Sequence, residues 1–184
     1  PGTLALKARL AAGDLGKIDK GQAWYAKGLV HNASHNIDLL RWLLGEVSGI
    51  VVLQPGRDVE HDCEPDFLIR FGDAEIWFLA HRHENYSFGN LDLLGEQGRA
   101  VYGSGGNRIE LWRAEASAVF AGYRTLAQMP EIIPSAMSRY QMHVLDALWN
   151  TVTDHREHTS DGENALATLR VLDRIKILRA QHGG

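Results

Sequence analysis

The chain has 184 residues, 45% hydrophobic and 23% charged, which suits one globular domain with a sizeable core and excludes a disordered or fibrous chain. Nineteen Lys and Arg against 23 Asp and Glu give a net charge of −4, so the broad basic field that nucleic acid requires is missing. The single cysteine, Cys63, excludes an internal disulfide; with no apolar run of membrane-spanning length and no basic-then-apolar leader, the expected setting is cytoplasmic.

Leu4, Leu6, Leu10 and Leu15, with Ala5, Ala8, Ala11 and Ala12 between them, predict a short helix, and Gly13-Asp14 supplies its stop. Residues 17–27 alternate and predict a strand, with Ile18, Ala23 and Tyr25 on one side, Trp24 on the other, and Gly28 at its end. From about Ala33 the period becomes helical: Ile37, Leu39, Leu40, Leu43 and Leu44 recur at helical spacing, and Gly45 marks the stop. Residues 47–53 are β-branched and end at Pro55-Gly56, which predicts a strand; the acidic stretch 57–64 has no period and predicts a loop.

Two aromatic and β-branched runs, 67–71 and 74–80, flank Gly72-Asp73, the pattern of a hairpin with a tight primed turn. Residues 91–94, 99–102 and 108–113 predict further short strands, with another at 118–123, in an antiparallel meander. Gly103-Ser104-Gly105-Gly106 lies between two of these strands and so reads as a turn, not a dinucleotide loop. The helical period returns through Met142, Leu145, Leu148, Trp149 and Val152; Ser160 or Asp161 then caps a last helix carrying Leu166, Leu169, Leu172, Ile175 and Leu178. The expected fold is α+β: one predominantly antiparallel mixed sheet with helices on one face and the other face open.

The chemistry concentrates after Trp24. His31 and His35 are four apart and His35 and Asp38 three apart, so a helix starting near residue 31 presents all three on one face. Its first turn would point unpaired N–H groups at an oxygen-rich ligand. An imidazole exchanges protons near neutral pH, as hydride removal from an alcohol carbon requires at the oxygen. Tyr25 and Lys27, two apart on one strand face, suit a sugar hydroxyl and a phosphate, and the Asn32 amide suits either role. Against these stand a core histidine at 35, a solvated Lys27, and an Asp38 that orients His35 or only charges the helix start. A metal site on His31 and His35, with ligands from His81, His83 and Glu84, competes, but Asn32 stands where a hydrolytic zinc helix carries Glu.

The run from Gly28 to Glu46 resembles the signature of the Gfo/Idh/MocA oxidoreductases, G-x-x-x-D-x-G-x-H-x-x-D followed by an apolar helix. Gly28, His35 and Asp38 match it, while His31 replaces the Asp and Ala33 the second Gly. Gly13-Asp14-Leu15-Gly16-Lys17, Leu94-Gly95-Glu96-Gln97-Gly98 and Asp161-Gly162-Glu163-Asn164-Ala165-Leu166 are similar to that family's second domain, so the resemblance spans most of the chain. It implies that residues 1–184 are a single substrate-binding and oligomerising domain of an NAD(P)-dependent oxidoreductase acting on the CH–OH group of a sugar, sugar nucleotide or polyol.

By the same resemblance, His35 is the proton carrier, His31 and Asn32 line the site, and Tyr25, Lys27 and Asp38 hold substrate. NAD or NADP would be bound mainly by an N-terminal Rossmann domain absent from this chain, which opens at Pro1 without an initiator Met; the isolated chain would then be inactive. A homo-oligomer would form through the open sheet face, with Trp77, Phe78, Phe67 and Phe71 supplying apolar area. His31 in place of the family's Asp also motivates an alternative, a non-catalytic binding or dimerisation module on the same scaffold.

Overall fold

The computed structural model describes residues 1–81, 85–86, 88–154 and 160–182. Helix α1 (Gly2–Ala11) leads into β1 (Ile18–Tyr25). A wide π turn, Leu29–Ala33, then runs directly into α2 (Ser34–Leu44), so the helical segment begins four residues before the expected start. Strands β2 (Val47–Val59), β3 (Asp62–Phe71), β4 (Ala74–Ala80), β5 (Leu91–Gly95), β6 (Gly98–Gly103) and β7 (Arg108–Ala116) follow. Two short strands, β8 (Arg124–Leu126) and β9 (Glu131–Ile133), precede α3 (Tyr140–Asp154) and α4 (Gly162–His182). Of the two expected caps for α4, Asp161 does the work: its carboxylate accepts the Asn164 N–H at 2.8 Å. Among the described residues, no helix is long and apolar enough to cross a membrane.

Among the described residues, nine strands form one sheet in the order β2-β3-β4-β1-β5-β6-β7-β8, with β9 also paired to β7. Strand β1 is inserted at its centre, parallel to β4 and antiparallel to β5. The expected mixed, largely antiparallel sheet is therefore what the chain forms. The parallel pair matters for function, because both strands end on the same edge: Tyr25 pairs with Ala80, and the His81 N–H donates to the Tyr25 carbonyl at 2.9 Å. The chain leaves that edge directly into the turn that carries His31 and then into α2, whose second residue is His35.

The two-residue period decides which side chains are covered. Ala23, Tyr25, Phe67, Ile69, Phe71, Ile76, Phe78, Leu91 and Leu93 are buried on one face, where Ile37 and Leu40 of α2 and Leu172 and Ile175 of α4 join the same core. Phe67 stacks on Phe78 at 4.6 Å and Tyr25 tilts against Phe67 at 6.0 Å, fixing the sheet under the site. Of the four aromatics expected on the open face, only Trp77 is there, 42% exposed; Phe67, Phe71 and Phe78 belong to the covered face. Trp77 and Phe78 are consecutive, and consecutive strand residues point to opposite faces, so the two could not have shared one.

Two further expectations are corrected. Residues 118–123 are not a strand: the chain folds back there, the Ser117 N–H bonding the Tyr123 carbonyl and the Ser117 hydroxyl accepting the N–H groups of Val119 and Phe120. Residues 57–64 are not a loop: β2 runs on past Pro55-Gly56 and turns only at Glu60-His61 into β3, with Arg57 paired to Glu64 and Asp58 to Cys63. The Pro-Gly pair is a bulge, marked by register shifts on both sides of Gln54, rather than a terminator. Gly56 has φ 65°, and a Cβ there would overlap the Glu64 carbonyl. Gly56→Ala is expected to cost on the order of 2–3 kcal/mol through strain and steric overlap, read as a lowered urea midpoint with an unchanged m-value; an unaltered midpoint would contradict the bulge.

Candidate functional site

The extended β2–β3 hairpin reaches across to the turn after β1, and its carboxylates meet the turn's backbone. Glu64, fully buried, accepts the N–H of Lys27 at 2.7 Å and of Gly28 at 3.3 Å, and receives the Arg57 Nε–H at 2.7 Å. Asp62 accepts the N–H of Val30 at 2.8 Å and of His31 at 3.1 Å. The donors expected to face a ligand are thus consumed by the chain's own acids, and buried Glu64 finds in them its hydrogen-bond partners. Gly28 sits between them at φ 103°, where a Cβ would strike the Asp62 carboxylate. The Gly28 carbonyl accepts both the Asn32 and Ala33 N–H groups, at 3.1 and 3.3 Å, which widens the first turn.

His31 on this turn and His35 at the start of α2 are both exposed, and both line one large cleft of about 980 Å³ together with Lys27, Arg57, His61 and Lys176. His35 also borders three smaller clefts of about 300, 290 and 300 Å³, so its ring stands where four hollows meet. Neither imidazole makes a hydrogen bond among the described residues. A sealed core position for His35 is excluded.

The remaining candidates differ. Tyr25 is 1% exposed and its hydroxyl donates to the Pro65 carbonyl, so the side chain is a strut below the turn rather than a hydroxyl offered to substrate. Burial, reinforced by the nearby Asp66 charge, pushes its phenol well above the usual range. Lys27 is not beside it on the strand: β1 ends at Tyr25, and Lys27 has turned to φ 61° and lies exposed at the mouths of two clefts. The Asn32 amide donates to the Ala26 carbonyl at 2.7 Å, closing the turn beside the cleft that the residue lines. Asp38 makes no hydrogen bond with His35; it accepts the Asn164 amide at 2.7 Å and the Thr168 hydroxyl at 3.0 Å, joining α2 to α4. Buried Arg41 continues that seam through Thr168 at 2.8 Å and Glu46 at 2.8 Å.

Sequence reasoning missed Arg57, Asp58, His61, Asp62, Glu64 and Lys176. The first five lie in the stretch whose lack of period predicts a loop, though the placement of Asp62 and Glu64 two apart, on one strand face, is a usable signal. Among the described residues, no group of three or more His, Cys, Asp or Glu side chains is placed to hold a metal. His81 instead stacks on Tyr86 at 5.5 Å, and His83 and Glu84 lie outside the described residues. The Gly103–Gly106 run is a short turn between β6 and β7, as expected, and offers no strand-to-helix loop for a pyrophosphate.

Residues 28–181 match the sequence model described as "Oxidoreductase family, C-terminal alpha/beta domain" of the Gfo/Idh/MocA proteins. No curated protein matches the chain. Among solved structures, levoglucosan dehydrogenase in complex with NADH superposes with a TM-score of 0.75 at 17% identity, over 98% of this chain and 61% of that one. The WlbA dehydrogenase from Bordetella pertussis, in complex with NADH and UDP-GlcNAcA, gives 0.69 at 20% identity, over 98% and 60%. UDP-N-acetylglucosamine 3-dehydrogenase GnnA from Acidithiobacillus ferrooxidans gives 0.69 at 12% identity, over 93% and 56%. At these identities the likeness is one of fold, and the chain spans about six-tenths of each neighbour's length.

The carboxylate brace yields a direct expectation. Asp62→Ala should lower stability by about 1–2 kcal/mol, the cost of losing a helix-start acceptor, whereas Asp62→Asn should retain most of it. Urea unfolding of both variants checks this, and equal stability of Asp62→Ala and the parent would contradict it.

Proposed function

The chain belongs to the Gfo/Idh/MocA oxidoreductase family as its C-terminal α/β domain, and from that premise we propose that it forms the substrate-binding half of an NAD(P)-dependent dehydrogenase acting on the CH–OH group of a sugar, sugar nucleotide or polyol. The observation that carries the reading is His35. It occupies the matching position of the family signature, lies in the first turn of α2 just after the braced turn, and borders four clefts with its ring free of protein hydrogen bonds among the described residues.

In this reading NAD or NADP, held mainly by an N-terminal Rossmann domain, supplies hydride transfer when bound. His35 takes the hydroxyl proton as the carbon is oxidised and returns it in reverse. His31, four residues earlier and in the same large cleft, hydrogen-bonds the substrate, and Lys27 and the Asn32 oxygen fix its orientation. Tyr25 and Asp38 act one step back, one supporting the end of β1 and the other holding α4 against α2. The clefts around His35 are open hollows that a second domain would close, so the isolated chain is expected to show no turnover.

In the full-length protein, His35→Ala should reduce kcat by about 10²–10⁴ while leaving the fold intact, measured by nicotinamide absorbance across a panel of sugars and polyols. A fully active His35→Ala variant would sink the assignment of the proton carrier. A parent protein inactive on the whole panel, yet binding those sugars, would favour the non-catalytic module instead.

We also infer a homo-oligomer built on the open sheet face. Trp77 and Leu94, 42% and 45% exposed, line a hollow of about 340 Å³ there with Lys20, Gln22 and Asp92. A homodimer contact of standard size needs roughly 800 Å² per subunit, with an apolar centre and a polar rim, and this face has that composition. Trp77→Asp is expected to shift sedimentation at micromolar concentration toward monomer; a monomeric parent would overturn the inference.

A further inference from the structure

Residues 58–64 of the β2–β3 hairpin carry four carboxylates, and three of them are accounted for. Glu64 is buried against Arg57, Asp58 pairs with Arg179 at 2.8 Å, and Glu60 stands exposed at the hairpin tip. Asp62 differs from all three: it is half-buried, lines the large cleft with His31 and His35, and has no cationic partner among the described residues. Its charge is met by backbone donors alone. Oδ2 accepts the N–H of Val30 at 2.8 Å and of His31 at 3.1 Å, and Oδ1 accepts the N–H of Cys63 at 2.8 Å. A carboxylate has about four acceptor sites, so Oδ1 keeps capacity to spare. Gly28 leaves the room for it, since a Cβ at that position would overlap Oδ2.

The location of this charge is informative. In the signature G-x-x-x-D-x-G-x-H-x-x-D the acid that precedes the histidine falls where this chain has His31. An Asp side chain is short enough to reach its own backbone N–H, and the N–H of residue 31 is the one that Asp62 holds. The turn thus keeps a negative charge at that point although its own residue no longer supplies one.

We propose that Asp62 is a positioning residue of the site: it supplies from β3 the carboxylate that the signature places on the turn, and its charge stabilises the imidazolium formed at His35. This rests on the reading of His35 as the proton carrier and adds the group that balances it. In oxidation the C–H hydrogen leaves with its electron pair as hydride to the nicotinamide, the C–O bond becomes a carbonyl, and the hydroxyl proton passes to His35. Asp62 takes no proton. The imidazole gains a positive charge in a cleft that already holds Lys27, Arg57 and Lys176. A carboxylate without a cationic partner in the same cleft offsets that gain, and a neutral side chain of the same shape does not.

Asp62→Asn separates bracing from charge, because the amide oxygen still accepts N–H groups. In the full-length protein it should lower kcat about tenfold while KM changes by less than about twofold; a bracing role alone would leave both unmoved. His31→Asp should cost the parent's kcat about fivefold more than it costs that of Asp62→Asn, since in the parent two carboxylates would crowd one N–H, whereas in the variant the charge is returned to the turn. Loss of the His31 imidazole is common to both backgrounds and cancels in the comparison. The same comparison is read without turnover in urea, where His31→Asp should lower the midpoint of the parent more than that of Asp62→Asn. Equal kcat for Asp62→Asn and the parent, or equal effects of His31→Asp in the two backgrounds, would overturn the inference. Failure of the His35 assignment is separately visible: full-length His35→Ala would stay active while the difference in urea persisted.

Discussion

Two acidic side chains facing a run of backbone N–H groups determine what the rest of this molecule does. The turn that follows β1 would otherwise present unpaired donors at an exposed helix start, where its path would be held by solvent alone. Asp62 and Glu64, brought over by a hairpin that continues through a bulge, bond the donors of Lys27, Gly28, Val30 and His31. Buried Glu64 is in turn balanced by Arg57. The result is a short, irregular segment tied to the β2–β3 hairpin by four backbone hydrogen bonds, bearing His31 and leading directly into the first turn of α2, which bears His35.

That brace changes the electrostatic character of the site. A bare helix start attracts anions, and this one has been neutralised from within. What lines the large cleft is imidazoles together with both charged signs: Lys27, Arg57 and Lys176 beside Asp58, Glu60 and Asp62. The seam of Asp38, Arg41, Asn164 and Thr168 then fixes α4 against α2, so the wall bearing Lys176 keeps its distance from His35. Rigid elements thereby surround the clefts that His35 borders.

Much of this is legible in the residues. The alternation on either side of Gly72-Asp73 specifies the β3–β4 hairpin, and the leucine period specifies α2 and its end at Gly45, because local spacing governs both. The family signature locates His35, and periodicity alone does not separate it from a core histidine. What escapes is non-local. Pro55-Gly56 looks like a strand end unless one knows that a carbonyl from residue 64 lies against the glycine, and acidic residues at 57–64 look solvated unless their N–H partners, over thirty residues earlier, are in view. Tyr25 escapes for the same reason: its hydroxyl partner, Pro65, is forty residues away in sequence. The apolar period of α3 predicts its helix, but none of that helix is buried, and the sequence offers no sign that nothing in this chain's described residues covers it.

The claim on which the account depends is that the turn bearing His31 and leading into His35 is fixed by carboxylates from the β2–β3 hairpin. Native-state hydrogen exchange of the backbone amides of Val30 and His31 tests it directly. The account predicts protection comparable to the amides at the centre of β1, despite the exposure of both residues. Exchange at the rate of an unstructured peptide would show that the brace does not form, and the site built on it would fall.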